Sequence, residues 1–200
     1  MASTVPYILF AHGAGLGSAS PWMQGWEQRL ASVGEVTAFD YPYMAAKRRR
    51  PDPQPVLLEA HRAALEAAWT DRQRPMFLMG KSMGSRIGCH LALTERVSGL
   101  VCFGFPLRAP GTGKLRDAVL LELRTPILFL TGSKDNLCPL AELEQVRSRM
   151  TADSELVVVD GGDHSLLVNK TELKRQGKTQ ADVDSGLLQA IADFTRRLSR

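Results

Sequence analysis

Cysteine is scarce: Cys89, Cys102 and Cys138 are odd in number and scattered over 200 residues. Their spacing supplies neither a disulfide framework nor the paired intervals of a zinc module, and suits reduced thiols in a cytoplasm. No long apolar run is free of charge. Met1 to Pro6 carry neither a basic region nor a long apolar stretch, so neither a transmembrane helix nor a secretory signal is expected. Histidine is confined to positions 12, 61, 90 and 164, without ligand spacing, so no metal and no other cofactor is expected. Internal repeats and low-complexity segments are also missing.

What is present is ordinary for a folded chain. Hydrophobic residues make up 44% and charged residues 23%, which argues against disorder. Two hundred residues fit a single domain over 1–200, large enough to bury a core without staples. The net charge of +4 raises the local concentration of anions rather than defining a function. One basic run stands out, Lys47-Arg48-Arg49-Arg50. No aromatics interleave it, as a single-strand platform would need, so nucleic acid ranks last among partners. A solvated loop is its plain reading, and favouring an anionic group of a substrate its functional one.

Apolar runs alternate with helical periodicity along the chain. Tyr7–Ala11, Glu35–Asp40, Met76–Met79, Ser98–Phe105, Pro126–Thr131 and Glu155–Asp160 read as strands. Helices are expected from Pro21, with Ser20 as N-cap, over Val56–Trp69, from Met83 to about Glu95, over Leu140–Met150, and at the C-terminus from a cap at Asp184 or Ser185. The stretch 41–55 reads as a long proline-bearing loop, 107–124 as a loop with a short helix over 115–123, and the segment before Asp184 as polar chain. Strand–helix alternation predicts an α/β protein with a parallel sheet covered on both faces.

Gly80-Lys81-Ser82-Met83-Gly84 joins a strand to a helix. Such a turn lifts a serine hydroxyl clear of the sheet, and glycines at 80 and 84 give the backbone room. Taken alone, the pentapeptide also suits a serine that merely caps a helix. Open parallel sheets gather functional groups beyond their strand C-termini. His164 meets that criterion; His61 and His90 fall within helices, His61 as a packed structural histidine, and His12 precedes the serine. Asp135 is the acid best placed beyond a strand, with Asp163 second and Asp117 and Glu122 in the unassigned middle. A serine hydroxyl needs a base to take its proton, and the base needs a carboxylate to fix its tautomer and offset its charge. Two N–H donors for the oxyanion are expected from Met83 and from Ala14 of the first glycine-rich loop.

The segments His12-Gly13-Ala14-Gly15, Gly80-Lys81-Ser82-Met83-Gly84, Asp135 and Gly162-Asp163-His164 occur in the order expected of an alpha/beta-hydrolase, and the resemblance spans nearly the whole chain. With Phe39-Asp40-Tyr41-Pro42-Tyr43-Met44 it is most similar to a compact, lidless bacterial branch of dienelactone-hydrolase-like proteins. It also resembles the hydrolase-like domain of a eukaryotic chromatin-complex subunit. The resemblance implies a three-layer fold with about six mainly parallel strands, helices on both faces and no large lid, and a Ser82/Asp135/His164 triad. Two departures stand beside it. Dienelactone hydrolases proper use cysteine where this chain has Ser82, and the usual leading antiparallel strands are missing. The expected function is a serine hydrolase, esterase or thioesterase, acting on a small-molecule ester or thioester, with loops 41–55 and 106–124 free to line the site. The competing class is a non-catalytic binding or scaffold protein on the same fold.

Overall fold

The computed structural model describes residues 5–199; Met1 to Thr4, which the reading of the N-terminus includes, lie outside the described residues, as does Arg200. Six strands form one open sheet: β1 (Tyr7–Ala11), β2 (Glu35–Phe39), β3 (Met76–Lys81), β4 (Gly99–Phe103), β5 (Ile127–Gly132) and β6 (Ser154–Val159). Their order is β2-β1-β3-β4-β5-β6, and all five pairings are parallel. The two antiparallel contacts among the described residues are isolated bridges, Arg108 with Leu115 and Gly162 with Val168. β1, β4 and β5 are buried at every position, which explains their uninterrupted apolar character. The edge strands β2 and β6 stay partly exposed and carry polar residues.

Side-chain alternation sends successive residues of each strand to opposite layers. Ile8, Phe10, Phe77 and Met79 pack with Met23, Trp26 and Leu30 of α1 (Pro21–Leu30) and with Leu187, Ile191 and Phe194 of α8 (Gln180–Leu198). Leu9, Leu78, Leu100 and Phe129 face the other way. They meet α3 (Gln54–Ala68), α4 (Met83–Leu91), α5 (Ala118–Glu122) and α6 (Leu140–Arg147) through Leu65, Leu91, Leu120 and Leu143. The expected three layers and both-face cover are therefore present.

Several local expectations are corrected. The 41–55 stretch is not all loop: α2 (Pro42–Ala45) makes one turn there, with proline supplying a preset φ at its first position. Pro55 likewise sits inside the first turn of α3, which starts at Gln54 rather than Val56. α4 ends at Leu91, short of Glu95. The segment expected as polar chain before Asp184 contains a helix, α7 (Lys170–Gln176), whose sequence offers no apolar stripe and none of whose residues is buried. α8 begins at Gln180, not near Asp184. Thr179 and Asp182 exchange side-chain and backbone bonds as a capping box, ahead of the apolar periodicity. Ser20 does occupy the N-cap of α1, without a side-chain cap bond.

One close approach fixes α4 against the sheet. A Cβ built on Gly84 would lie 2.4 Å from the Ala11 carbonyl oxygen and 2.7 Å from that of His12. Both neighbours are backbone at the end of β1, where neither can move aside cheaply. Gly84→Ala is expected to lower the unfolding free energy by about 3 kcal/mol. Urea titration checks this; a loss below about 1 kcal/mol would mean the β1–α4 contact yields.

Candidate active site

Because all six strands run the same way, the loops after β1, β3, β5 and β6 converge on one edge of the sheet. Ser82 sits between β3 and α4 at φ 49°, ψ −111°, a conformation a non-glycine residue adopts only under tertiary constraint. Its N–H donates to the Phe103 carbonyl at 3.0 Å. Its own carbonyl accepts from Arg86 N–H at 3.2 Å and from Ser85 Oγ at 2.6 Å. The strained residue is thus held from both sides of its peptide.

The structure brings Ser82, His164 and Asp135 together. His164 Nε2 lies 2.8 Å from Ser82 Oγ, and His164 Nδ1 lies 2.8 Å from Asp135 Oδ2. Asp135 is buried, three residues beyond β5, and its other oxygen accepts from Leu137 N–H at 2.9 Å. With the His164 Nδ1–H donated to Asp135, the ring is in the tautomer whose Nε2 can accept from the serine hydroxyl. Asp163 is turned to its own loop instead, accepting from Ser165 and Leu167 N–H at 2.7 and 3.0 Å. Asp117 faces Arg149 across 3.5 Å, away from this group.

Met83 is the first residue of α4, so its N–H has no partner within the helix. Neither it nor the Ala14 N–H meets an acceptor among the described residues. The glycine-rich loop lies against the serine: a Cβ on Gly13 would sit 3.6 Å from Ser82 Cβ. That loop is held by groups to which the sequence reading gave no role, although they lie in the quoted stretch 39–44. The Tyr43 hydroxyl donates to the Gly13 and Ala14 carbonyls at 3.3 and 3.0 Å, and Asp40 accepts from Ser18 N–H at 2.7 Å. His12 is fully buried. Nδ1–H donates to the Gly13 carbonyl at 2.6 Å, and Nε2 accepts from Tyr41 N–H at 3.1 Å. Burial lowers the His12 pKa against the opposing effects of the Gly13 carbonyl and Asp40, keeping the ring neutral and the loop in this tautomer's geometry. Behind it, the Tyr41 hydroxyl and His61 Nδ1 are 3.0 Å apart.

Two further residues escaped the sequence reading. Gly104 follows β4 at φ 65°, and a Cβ there would come within 2.5 Å of the His164 carbonyl oxygen. A glycine directly after a buried strand was the available signal. Lys81 precedes the serine, and its ammonium donates to the His164 carbonyl while lying 5.7 Å from the Trp22 ring centre. Burial pushes Lys81 down to about 8, opposed by Asp135 and Asp163.

Above Ser82 opens a cavity of about 480 Å³ whose apolar walls include Leu16, Trp22, Met23, Leu137 and Leu167, with Lys81, Ser82 and His164 as polar lining. Pro110 brings the 106–124 loop to its rim, as expected, but 41–55 contributes nothing. The basic run does not line this cavity: Arg48 is paired with Asp52 at 2.7 Å, and Arg48 and Arg50 border a separate hollow with Pro51 and Pro53. Cys89, Cys102 and Cys138 are all buried and unbridged. No cluster of three metal-ligating side chains and no helix long and apolar enough to cross a membrane occurs among the described residues.

A family model described as an alpha/beta hydrolase domain matches residues 4–196. Protein sumv-2 of Caenorhabditis elegans is 30% identical over 103 residues, which are 51% of this chain and 9% of that protein. The chain thus spans less than a tenth of that curated relative's length. Among solved structures, dienelactone hydrolase from Anabaena variabilis superposes with a TM-score of 0.67 at 18% identity, covering 98% of this chain and 86% of that one. Mouse alpha/beta hydrolase domain-containing protein 10 gives 0.68 at 18% identity over 99% and 92%. The alpha/beta hydrolase GrgF from a Penicillium species gives 0.75 at 13% identity over 99% and 91%.

The histidines behind the glycine-rich loop set a pH dependence. Burial, with a smaller contribution from His12, pushes His61 down to about 3. Its folded pKa lies below the unfolded value of about 6.5, so its contribution to stability is present above that value and declines as pH falls toward 3. His61→Gln keeps a hydrogen-bonding side chain without the titration. The slope of unfolding free energy against pH between 6 and 4 should therefore be shallower in the variant by one proton's worth. Equal slopes would mean that His61 is already protonated in the fold.

Proposed function

The chain belongs to the alpha/beta hydrolase domain family, and from that premise we propose that it is a serine hydrolase that cleaves a small carboxylic ester or thioester through an acyl-enzyme. The observation that carries the reading is the continuous relay from Asp135 through His164 to Ser82, at 2.8 Å per link, on the floor of an apolar cavity. Ser82 is the nucleophile, His164 the general base and then acid, and Asp135 the carboxylate that orients the imidazole and offsets its charge. All act within one domain.

As Ser82 Oγ attacks the acyl carbon, its proton passes to His164 Nε2. The carbonyl oxygen gains negative charge, which the Met83 and Ala14 N–H groups stabilise. His164 then delivers the proton to the leaving alkoxide or thiolate as that bond breaks, and the acyl group stays on Ser82. Water, deprotonated by the same imidazole, attacks the acyl-enzyme; the acyl–Oγ bond breaks, the imidazolium returns its proton to Ser82 Oγ, and the acid is released. No step requires a cofactor. Leu16, Trp22, Met23 and Leu167 suit an uncharged acyl chain, since an unpaired charge against such walls would be costly.

Ser82→Ala and His164→Ala should each abolish fluorophosphonate labelling and lower kcat on short p-nitrophenyl esters or acyl thioesters by about 10⁴-fold or more. Asp135→Asn should act in the same direction. Wild-type protein that is folded yet neither labels nor turns over any ester or thioester would overturn this reading in favour of a non-catalytic scaffold.

A further inference from the structure

The loop that carries His164 is held largely by side chains. Three consecutive carbonyls, those of His164, Ser165 and Leu166, accept from three different elements: the Lys81 ammonium at the end of β3, Trp22 Nε1 of α1 at 3.0 Å, and Gln180 Nε2 of α8 at 3.1 Å. None of the three takes a backbone bond from the described residues. Trp22 and Gln180 brace the far part of the loop. Lys81 alone joins the base's own peptide to the residue bonded to the nucleophile.

The rest of the lysine is also engaged. Its stem packs on the glycine-rich loop, where a Cβ on Gly13 would stand 3.4 Å from Lys81 Cγ. Its head lies over Trp22, and Asp135, Asp163 and His164 are the titratable groups facing it from the loops after β5 and β6. Drawing an ammonium out of water is costly unless hydrogen bonds and opposite charges offset the loss, and the His164 carbonyl, the Trp22 ring and the two aspartates supply that here. A methionine would fill the same space, but it would leave the His164 carbonyl without a donor.

We infer that Lys81 is a positioning residue that sets the separation of His164 Nε2 from Ser82 Oγ by tethering the His164 carbonyl to the nucleophile's strand. Its effect on rate rests on the serine-hydrolase reading; its effect on the imidazole does not. Loss of the ammonium proton as pH rises weakens the tether, so the rate has an alkaline limb near the lysine's lowered pKa of about 8.

The test compares wild type, Lys81→Met and Lys81→Arg, with Ser82→Ala as control. It measures labelling rate, kcat and KM on a p-nitrophenyl ester across pH 6–10, and the downfield proton resonance of His164 Nδ1. Lys81→Met should lower kcat about tenfold or more with KM within about twofold, and broaden or abolish the downfield resonance. Lys81→Arg should recover most of the rate and move the alkaline limb upward, because a guanidinium keeps its charge. Wild-type kcat and an unchanged resonance in Lys81→Met would overturn the inference, and a rise in KM alone would make Lys81 a substrate contact instead. Should Lys81→Met fail to fold, an alkaline limb in Lys81→Arg identical to that of wild type would overturn it. Labelling that survives in Ser82→Ala, or no turnover by any protein, defeats the hydrolase reading, and the resonance then decides the role of Lys81.

Discussion

The backbone of Ser82 is the constraint on which the site depends. A residue at φ 49°, ψ −111° stores on the order of 1–3 kcal/mol and persists only where its surroundings over-determine it. Here the surroundings are the Phe103 carbonyl on the neighbouring strand, the first turn of α4 beneath, and the contact between Gly84 and the end of β1. Those contacts are available because β3 lies between β1 and β4 in a parallel sheet buried on both faces. Core burial holds the sheet, the sheet holds the turn, and the turn presents the hydroxyl.

Around that turn the loops follow one electrostatic logic. Three polar groups close to the serine each have partners that fix their place: His12 lies between Gly13 and Tyr41, Asp135 is shared between His164 and Leu137, and Lys81 is set on the His164 carbonyl. Such networks restrict conformations because any partner lost leaves a desolvated group unsatisfied. The 39–44 segment is part of this support although it is remote from the serine in sequence: Asp40, Tyr41 and Tyr43 shape the loop that carries Ala14. The family therefore defines a scaffold, while these side chains define the shape of the site built on it.

The alternation of apolar runs with helical periodicity determined the α/β class, the six strands and both-face cover, because strands buried on two sides, as β1, β4 and β5 are, carry nearly unbroken apolar runs. The Gly80–Gly84 turn pointed to Ser82, and chain order against strand ends to Asp135 and His164 as its candidate partners, since parallel strands deliver their C-terminal loops to one edge. Elements with no apolar stripe were not legible: α7 packs on the core through Leu173 alone among its hydrophobic side chains, without a fully buried residue, and the first turn of α8 is set by a capping box rather than by periodicity. Contacts between loops were decided only by tertiary structure. Lys81 reaches a carbonyl 83 residues away, Tyr43 one 29 away, and the Lys47–Arg50 run ends up off the cavity. Local sequence encodes which face a side chain takes, but which distant backbone atom it meets depends on how the whole sheet is assembled.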